Sequence, residues 1–273
     1  MTIFGTHRSR VSSLLLLLTL PLALIGAPAG AQVNPLWDHY RVYWTTCPGC
    51  IANVPVTLTD QFGSYSHQVT SLYHFCTPVQ KTVLDSLGNP IVYPIHDAVT
   101  HYSWWQISPQ TFSAKVAVTN QFGDQTLNVH NAAFLLTPAL KNTYPGPLPN
   151  ANHYKAYECD GQPINRPVVL DDQLGHWSAT LTYPRYFLTP ARKYVGPGQD
   201  YPIVDPDQHY VCYEFTPADQ NTYAAVWWID QFFSVTSPIF GPQSAQYVLV
   251  PTSKLYVVPA RQHTWGQLKA LYR

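Results

Sequence analysis

The chain has 273 residues with 15 basic and 15 acidic side chains, so its formal net charge is zero. Charged residues make up 11% of the chain, against roughly a quarter in ordinary domains. No basic run occurs, which excludes an electrostatic footprint for nucleic acid. The aromatic content of 14%, with uncharged polar side chains left to cover the surface, favours a rigid β-fold outside the cell.

Residues 1–31 have the three parts of a secretory signal peptide. Arg8 and Arg10 give a positive start, Val11 to Ile25 form an apolar run, and Ala29-Gly30-Ala31 provides a small-residue cleavage site. No later stretch approaches the roughly 20 apolar residues of a membrane-spanning helix. The sequence therefore predicts an exported mature chain that is secreted, periplasmic or at the cell surface, with no transmembrane segment.

The mature chain repeats one template four times. Each copy begins with His-Tyr-x-x-Tyr/Trp, continues as an alternating strand into Asp/Asn-Gln-Phe/Leu, and closes with Pro-x-x-Lys. The histidine and the lysine of the successive copies are His39 and Lys81, His101 and Lys141, His153 and Lys193, and His209 and Lys254. The distance from the glutamine to the proline is 17 residues in the first three copies and 20 in the fourth. This regular spacing predicts a repeat architecture.

Each copy alternates apolar and polar residues with period two before its turn, which predicts a half-buried strand. In the first copy Val54, Val56 and Leu58 share one face. The segment Asp60-Gln61-Phe62-Gly63 fits a type I turn, because Asp can bond to the backbone and Gly accepts a left-handed conformation. The fourth copy has Phe233 in place of the glycine, so we expect a distorted turn there. The His-Tyr segment is also predicted to be a strand.

About four short strands per copy are too few to bury both faces of a sheet, so we expect the copies to pair. The predicted fold class is all-β, with four short-strand repeats paired into two β-sandwich or barrel-like domains. The domains are residues 32–143 and 153–254, joined by the Pro/Gly-rich linker 144–152. Residues 255–273 form a C-terminal tail with a short helix at 263–272. Equal spacing leaves a continuous solenoid or one closed barrel as alternatives.

The template resembles a family of uncharacterised secreted bacterial repeat proteins, a domain of unknown function. The units of that family read roughly His-Leu-x-Cys-Tyr, Asp-Gln-Phe-Gly and Leu-Cys-x-Pro-x-x-Lys, and the resemblance covers nearly all of residues 39–254. It implies the β-repeat fold and export, and no activity. This chain departs from the family at the cysteines, because only Cys76 and Cys212 occupy the expected positions, and they lie in different copies.

All five cysteines follow the leader, and an oxidising compartment would let disulfides persist. Cys47-Pro-Gly-Cys50 lies in a loop between two predicted strands. We expect a structural link there, because a redox Cys-x-x-Cys needs a helix N-terminus. A second link between Cys76 and Cys212 would leave Cys159 free, while a link from Cys159 to Cys47 or Cys50 is equally permitted.

The candidate ligand-contacting side chains are Trp105 and Trp227. Each belongs to an adjacent tryptophan pair, and a strand places one ring of such a pair on each face. Burial of both rings is the commoner arrangement. The template histidines and turn Asp/Asn residues are interpreted as repeated structural groups, and no spacing indicates a metal or another cofactor.

No catalytic fingerprint of a hydrolase, metalloprotease, nucleotide-binding or dinucleotide-binding enzyme occurs in the sequence, which predicts a protein that is not an enzyme. We expect an exported non-catalytic β-repeat protein with a structural or binding role at the cell envelope. Its partner would be a glycan or an envelope protein, and not a nucleic acid. The alternatives are a carbohydrate or cell-wall binding module and, least favoured, a secreted hydrolase with dispersed carboxylates.

Overall fold

The computed structural model describes residues 33–45, 47, 50–142, 146–233 and 242–259. Every regular element in these ranges is a β-strand, so the all-β prediction is confirmed, and no helix there could cross a membrane. The strands are β1 (His39–Thr45), β2 (Ile51–Asp60), β3 (Gly63–Leu84), β4 (Pro90–Tyr93), β5 (His101–Gln110), β6 (Ala114–Asn120), β7 (Gly123–Lys141), β8 (His153–Asp160), β9 (Arg166–Asp172), β10 (Gly175–Gly196), β11 (Gln199–Tyr201), β12 (His209–Asp219), β13 (Trp228–Ile229) and β14 (Pro242–Pro259). The predicted leader and the helix at 263–272 lie outside the described residues.

Each copy consists of a His-Tyr strand followed by a hairpin whose second arm is long. In the first copy these are β1, β2 and β3. The alternation predicted for β2 is confirmed, because Val56 and Leu58 are buried. The turn is also as predicted: the Phe62 N–H donates to the Asp60 carboxylate at 2.8 Å, and Gly63 has a φ of 129°. That backbone conformation favours glycine, since side chains rarely tolerate it.

The fourth copy starts its turn in the same way without a glycine. The backbone N–H groups of Phe232 and Phe233 donate to the Asp230 carboxylate at 2.8 and 2.9 Å. Its inner strand β13 is reduced to Trp228–Ile229. The expected distortion beyond Phe233 concerns residues 234–241, which lie outside the described residues.

Eight strands form a closed antiparallel ring. The ring contains the His-Tyr strand and the long strand of every copy, in the order β1-β3-β5-β7-β8-β10-β12-β14, and β14 pairs again with β1. Because the first and last copies pair, the ring has no open edge, which removes the main route by which strands associate wrongly.

Aromatic side chains fill the interior of the ring. One layer consists of four template tyrosines, in which each ring meets the next at centroid distances of 5.2–6.0 Å: Tyr40, Tyr102, Tyr154 and Tyr210. A second closed layer consists of His74, Phe134, Tyr186 and Tyr247, at 5.6–6.1 Å. The mainly edge-on contacts are favourable for aromatic pairs. The buried indole of Trp104 packs against this second layer and donates its N–H to Cys76 Sγ.

The hairpins lie over the outside of the ring and bury a second, larger core. Each inner hairpin strand pairs with the long strand of the copy two places away: β2 with β10, β6 with β14, β9 with β3 and β13 with β7. The opposite faces of the ring strands therefore belong to different cores. Tyr40 and Val42 face the interior, whereas Tyr43 faces the hairpins, as the period-two pattern predicts.

The strand pairings cross the boundary between the two predicted domains. β7 pairs with β8 across the predicted linker 144–152, and β14 pairs with β1 across the whole chain. The physical reason is that pairing within residues 32–143 alone would leave the outer edges of β1 and β7 unpaired.

Candidate binding site

Side-chain hydrogen bonds from three template histidines and one template lysine connect neighbouring copies. A histidine ring of one copy meets the turn glutamine of the next copy in three places: His39 with Gln121 (3.2 Å), His101 with Gln173 (2.7 Å) and His153 with Gln231 (3.1 Å). At the fourth joint Lys254 donates to Gln61. Burial lowers the pKa of His101 to about 4 and that of His153 to about 3, so both rings are neutral at physiological pH. Within the described ranges no group of three or more His, Cys, Asp or Glu side chains could hold a metal ion.

The turn Asp and Asn side chains form hydrogen bonds that connect copies two places apart in the chain. Each accepts a backbone N–H of its own turn and also meets an aromatic side chain across the ring. The aromatic contacts are Tyr157 to Asp60 (2.7 Å), Asn120 to Tyr213 (3.0 Å), Tyr43 to Asp172 (2.6 Å) and Trp105 to Asp230 (2.8 Å). Burial raises the pKa of the three carboxyl groups. These hydrogen bonds engage the repeated acids inside the protein.

A pair of carboxylates also converges on a buried arginine. Arg41 donates to Asp219, and its guanidinium lies 4.0 Å from Asp172. All three side chains are completely buried. The cluster therefore offers no surface to a substrate, and its opposite charges compensate one another for loss of water.

Copies one and three cover their template lysine with a tyrosine from a short extra strand. Lys81 Nζ lies 4.7 Å from the Tyr93 ring centroid, and Lys193 Nζ lies 4.6 Å from that of Tyr201. Both lysines are completely buried. Lys254 of copy four is partly exposed and lines an open cavity. Copy four therefore differs from copies one and three at its template lysine.

This cavity is the centre of a groove that we call the Trp37 groove. It has a volume of about 510 Å³ and is lined by Asn34, Trp37, Asp205, Pro206, Asp207, His209, Ser253 and Lys254. A cavity of about 330 Å³ continues from Trp37 towards Gln121, and one of about 560 Å³ continues from Asp207 towards Gln61. Ligand pockets commonly have volumes of 300–1,000 Å³.

Hydrogen bonds hold the walls of the Trp37 groove in place. The Trp37 indole N–H donates to Asp205 Oδ2 at 3.2 Å, and Asp205 Oδ1 accepts the Asp207 N–H at 3.0 Å. The buried Asn152 amide accepts the Val204 and Asp205 N–H groups and donates to the Asp205 carbonyl at 2.7 Å. The aromatic ring and the carboxylates are therefore preorganised, which reduces the entropy lost on binding.

Residues 101–236 match the family model of a repeat of unknown function (DUF7450). The matched segment contains copies two and three and most of copy four. It supports an uncharacterised repeat family, and its description assigns no activity. No curated protein and no solved structure matches the chain.

The structure separates the two predicted ligand-contacting tryptophans. Trp105 is completely buried and donates its indole N–H to Asp230, so its ring is closed to ligands. That prediction is corrected because the copy-four turn covers the outer face of β5. Trp227 is 41% exposed, and its backbone bonds to Asn142. Contact of Trp227 with a ligand stays a prediction.

The structure confirms one of the two proposed disulfides. Cys47 and Cys50 are linked. Cys76 and Cys212 are free buried thiols within the interior of the ring, in place of the predicted link, and Cys159 is also free. Burial raises the pKa of Cys76 and Cys212 well above the usual value for a thiol, so both favour the protonated, unreactive form.

The repeat pattern does not indicate the Trp37 groove, because the aromatic ring and both carboxylates that line it lie outside the template, and only His209 and Lys254 belong to it. Trp37 precedes the first copy, and Asp205 and Asp207 lie in the segment between Lys193 and His209. One signal was available: the connections after copies one and three each contain an extra tyrosine, which the repeat does not require. Residues that depart from a repeat are candidates for function, because the scaffold does not need them.

Proposed function

We propose that this chain is an exported, non-catalytic repeat protein with a structural or binding role at the cell envelope. The observation that carries the proposal is the use of the repeated polar groups. Three template histidines (His39, His101 and His153) and the turn acids Asp60, Asp172 and Asp230 bond to residues of another copy. Groups engaged in this way support a scaffold, whereas catalysis needs groups that reach a substrate.

The leader supports the export part of the proposal. Its positive start, apolar run and Ala29-Gly30-Ala31 site are those of a cleaved secretory signal. The Cys47–Cys50 disulfide is compatible with an oxidising compartment. The chain would then act in the periplasm, at the cell surface or outside the cell.

Carbohydrate or cell-wall binding is the second candidate function. The observation in its favour is the Trp37 groove, in which an aromatic ring lies beside carboxylate and amide groups. The face of an aromatic ring packs against the apolar C–H face of a sugar, while polar groups bond to hydroxyls and fix orientation.

Expression of the full chain in a bacterial host, followed by fractionation and mass spectrometry, tests the proposal. We expect a mature protein that begins at Gln32 and sediments with isolated envelope material. A Leu15→Arg variant, which interrupts the apolar run, should stay uncleaved inside the cell. Cytoplasmic retention of the wild type would contradict export, and a mature protein that associates with no envelope fraction would contradict the role at the envelope.

The non-catalytic part has its own readout. The purified protein is incubated with isolated cell-wall polysaccharide, and new reducing ends and released peptides are measured. We expect neither to increase over a heat-unfolded control. Release of reducing ends by the wild type would favour the hydrolase alternative.

A further inference from the structure

The Trp37 groove lies where copy four differs from copies one and three. In copies one and three a tyrosine ring lies on the template lysine. The ring centroid of a turn phenylalanine also lies close to the lysine, 4.8 Å from Lys81 Nζ and 4.5 Å from Lys193 Nζ. In copy four, Lys254 and His209 line an open cavity. A tyrosine side chain thus covers the template lysine in copies one and three, whereas an open cavity lies beside it in copy four.

We propose that the Trp37 groove binds a neutral oligosaccharide, with the Trp37 ring as the platform and Asp207 and Asn34 as partners of the sugar hydroxyls. This inference rests on the proposed binding function and names its ligand class. Trp37 lines both the 330 Å³ cavity and the central one, and Asp207 lines both the central cavity and the 560 Å³ one. The three cavities therefore adjoin, and the groove is long enough for more than one sugar unit.

The charges of the groove favour a neutral ligand over an anionic one. Arg192 is paired with the Asp200 carboxylate at 2.6 and 2.8 Å, whereas Lys254, which lines the groove, donates to the neutral Gln61 and keeps its charge. The carboxylates of Asp205 and Asp207 line the opposite wall. Two carboxylates thus stand against the single cation Lys254, so a uronic acid would meet a net negative charge, and like charges at short range are unfavourable.

The polar side chains in the groove can form hydrogen bonds with sugar hydroxyls. Carboxylates accept hydrogen bonds from sugar hydroxyls, and the Asn34 amide both donates and accepts. The Asn34 backbone carbonyl accepts the Trp37 backbone N–H at 3.2 Å, and the Asn34 side-chain oxygen accepts the Leu36 N–H at 3.0 Å, so a short turn holds both groove residues. The Asp205 bond to the indole limits rotation of the ring.

Titration calorimetry of the exported protein tests the proposal. The neutral probes are cellotetraose, chitotetraose and maltotetraose, and the anionic probe is tetragalacturonate. We expect at least one neutral tetraose to bind and the uronate to bind at least tenfold more weakly or not at all. Trp37→Ala should weaken the binding of the neutral probe by about tenfold or more, as for a buried aromatic contact of about 1.4 kcal/mol or more.

Two further variants make the result decisive. Asp207→Ala changes an exposed side chain, so the fold should persist while affinity falls about fivefold. Trp227→Ala removes a 41% exposed indole outside the groove, so affinity should stay within twofold.

The outcomes separate the two proposals. Loss of binding in Trp227→Ala but not in Trp37→Ala would overturn the assignment of the site, and stronger binding of tetragalacturonate would overturn the ligand class. Failure of all four probes to bind a protein that sediments with the envelope would overturn the inference alone. A protein that neither binds the probes nor sediments would contradict the proposed function as well.

Discussion

Replacement of Asp60 tests whether the turn acids act as joints between copies. Its carboxylate accepts the Phe62 N–H at 2.8 Å and the Tyr157 hydroxyl at 2.7 Å. Asp60→Ala removes the turn bond from Phe62, which is worth about 1 kcal/mol. It also leaves the largely buried Tyr157 hydroxyl without its acceptor, at a cost of about 1–3 kcal/mol. The expected loss of unfolding free energy is therefore about 2–4 kcal/mol.

The chain contains the matched control for this substitution. Copy two has Asn120 at the equivalent position, where the amide N–H donates to the Tyr213 hydroxyl at 3.0 Å. In Asp60→Asn the Oδ1 can still accept the turn N–H, and the amide N–H can donate to the Tyr157 hydroxyl as Asn120 does to Tyr213, so the cost should stay below about 1 kcal/mol.

Urea unfolding followed by tryptophan fluorescence measures both variants. With an m-value near 3 kcal/mol/M, Asp60→Ala should lower the midpoint by about 1 M, and Asp60→Asn by a small fraction of that. An Asp60→Ala protein as stable as the wild type would refute the reasoning. Equal losses in the two variants would also refute it, because the negative charge rather than the hydrogen bonds would then be responsible.

Three further predictions concern the interior, the turns and the pH dependence. Trp104→Ala should cost about 3–5 kcal/mol in urea unfolding, because it opens a cavity inside the ring; a cost below about 1 kcal/mol would contradict the closed interior. Gly63→Ala should lower the free energy of unfolding more than Gly123→Ala, although both glycines have positive φ. An added Cβ lies 2.9 Å from the Tyr65 ring at position 63, whereas it has no atom within 4 Å at position 123. Stability should fall as the pH drops from 6.5 towards 4, because the pKa of buried His101 is lowered to about 4 and the unfolded chain binds the proton more readily; melting temperatures that stay constant across this window would contradict neutral burial.

The local structure of each copy could be predicted from the sequence. Alternation in β2 and the Asp-Gln-Phe-Gly turn depend on residues close together in the chain, and Val56, Leu58 and the positive φ of Gly63 follow the pattern. Period two also assigned Tyr43 and Tyr40 to opposite faces, which the two cores confirm. These features depend on backbone geometry and turn chemistry, which act locally.

The arrangement of the copies could not be predicted, because it depends on contacts between residues far apart in the chain. The strands β1 and β14 pair although more than 190 residues separate His39 from Pro242. The burial of Trp105 follows from the docking of Asp230, which no local pattern indicates. An alternating pattern states that one face is covered, and it leaves open which copy covers it.

Differential scanning calorimetry of the mature protein tests the closed ring of four copies most directly. Because the pairing of β14 with β1 joins the last copy to the first, the account predicts one cooperative transition whose calorimetric and van't Hoff enthalpies agree. Two transitions assigned to residues 32–143 and 153–254, and reproduced by the separate fragments, would contradict it.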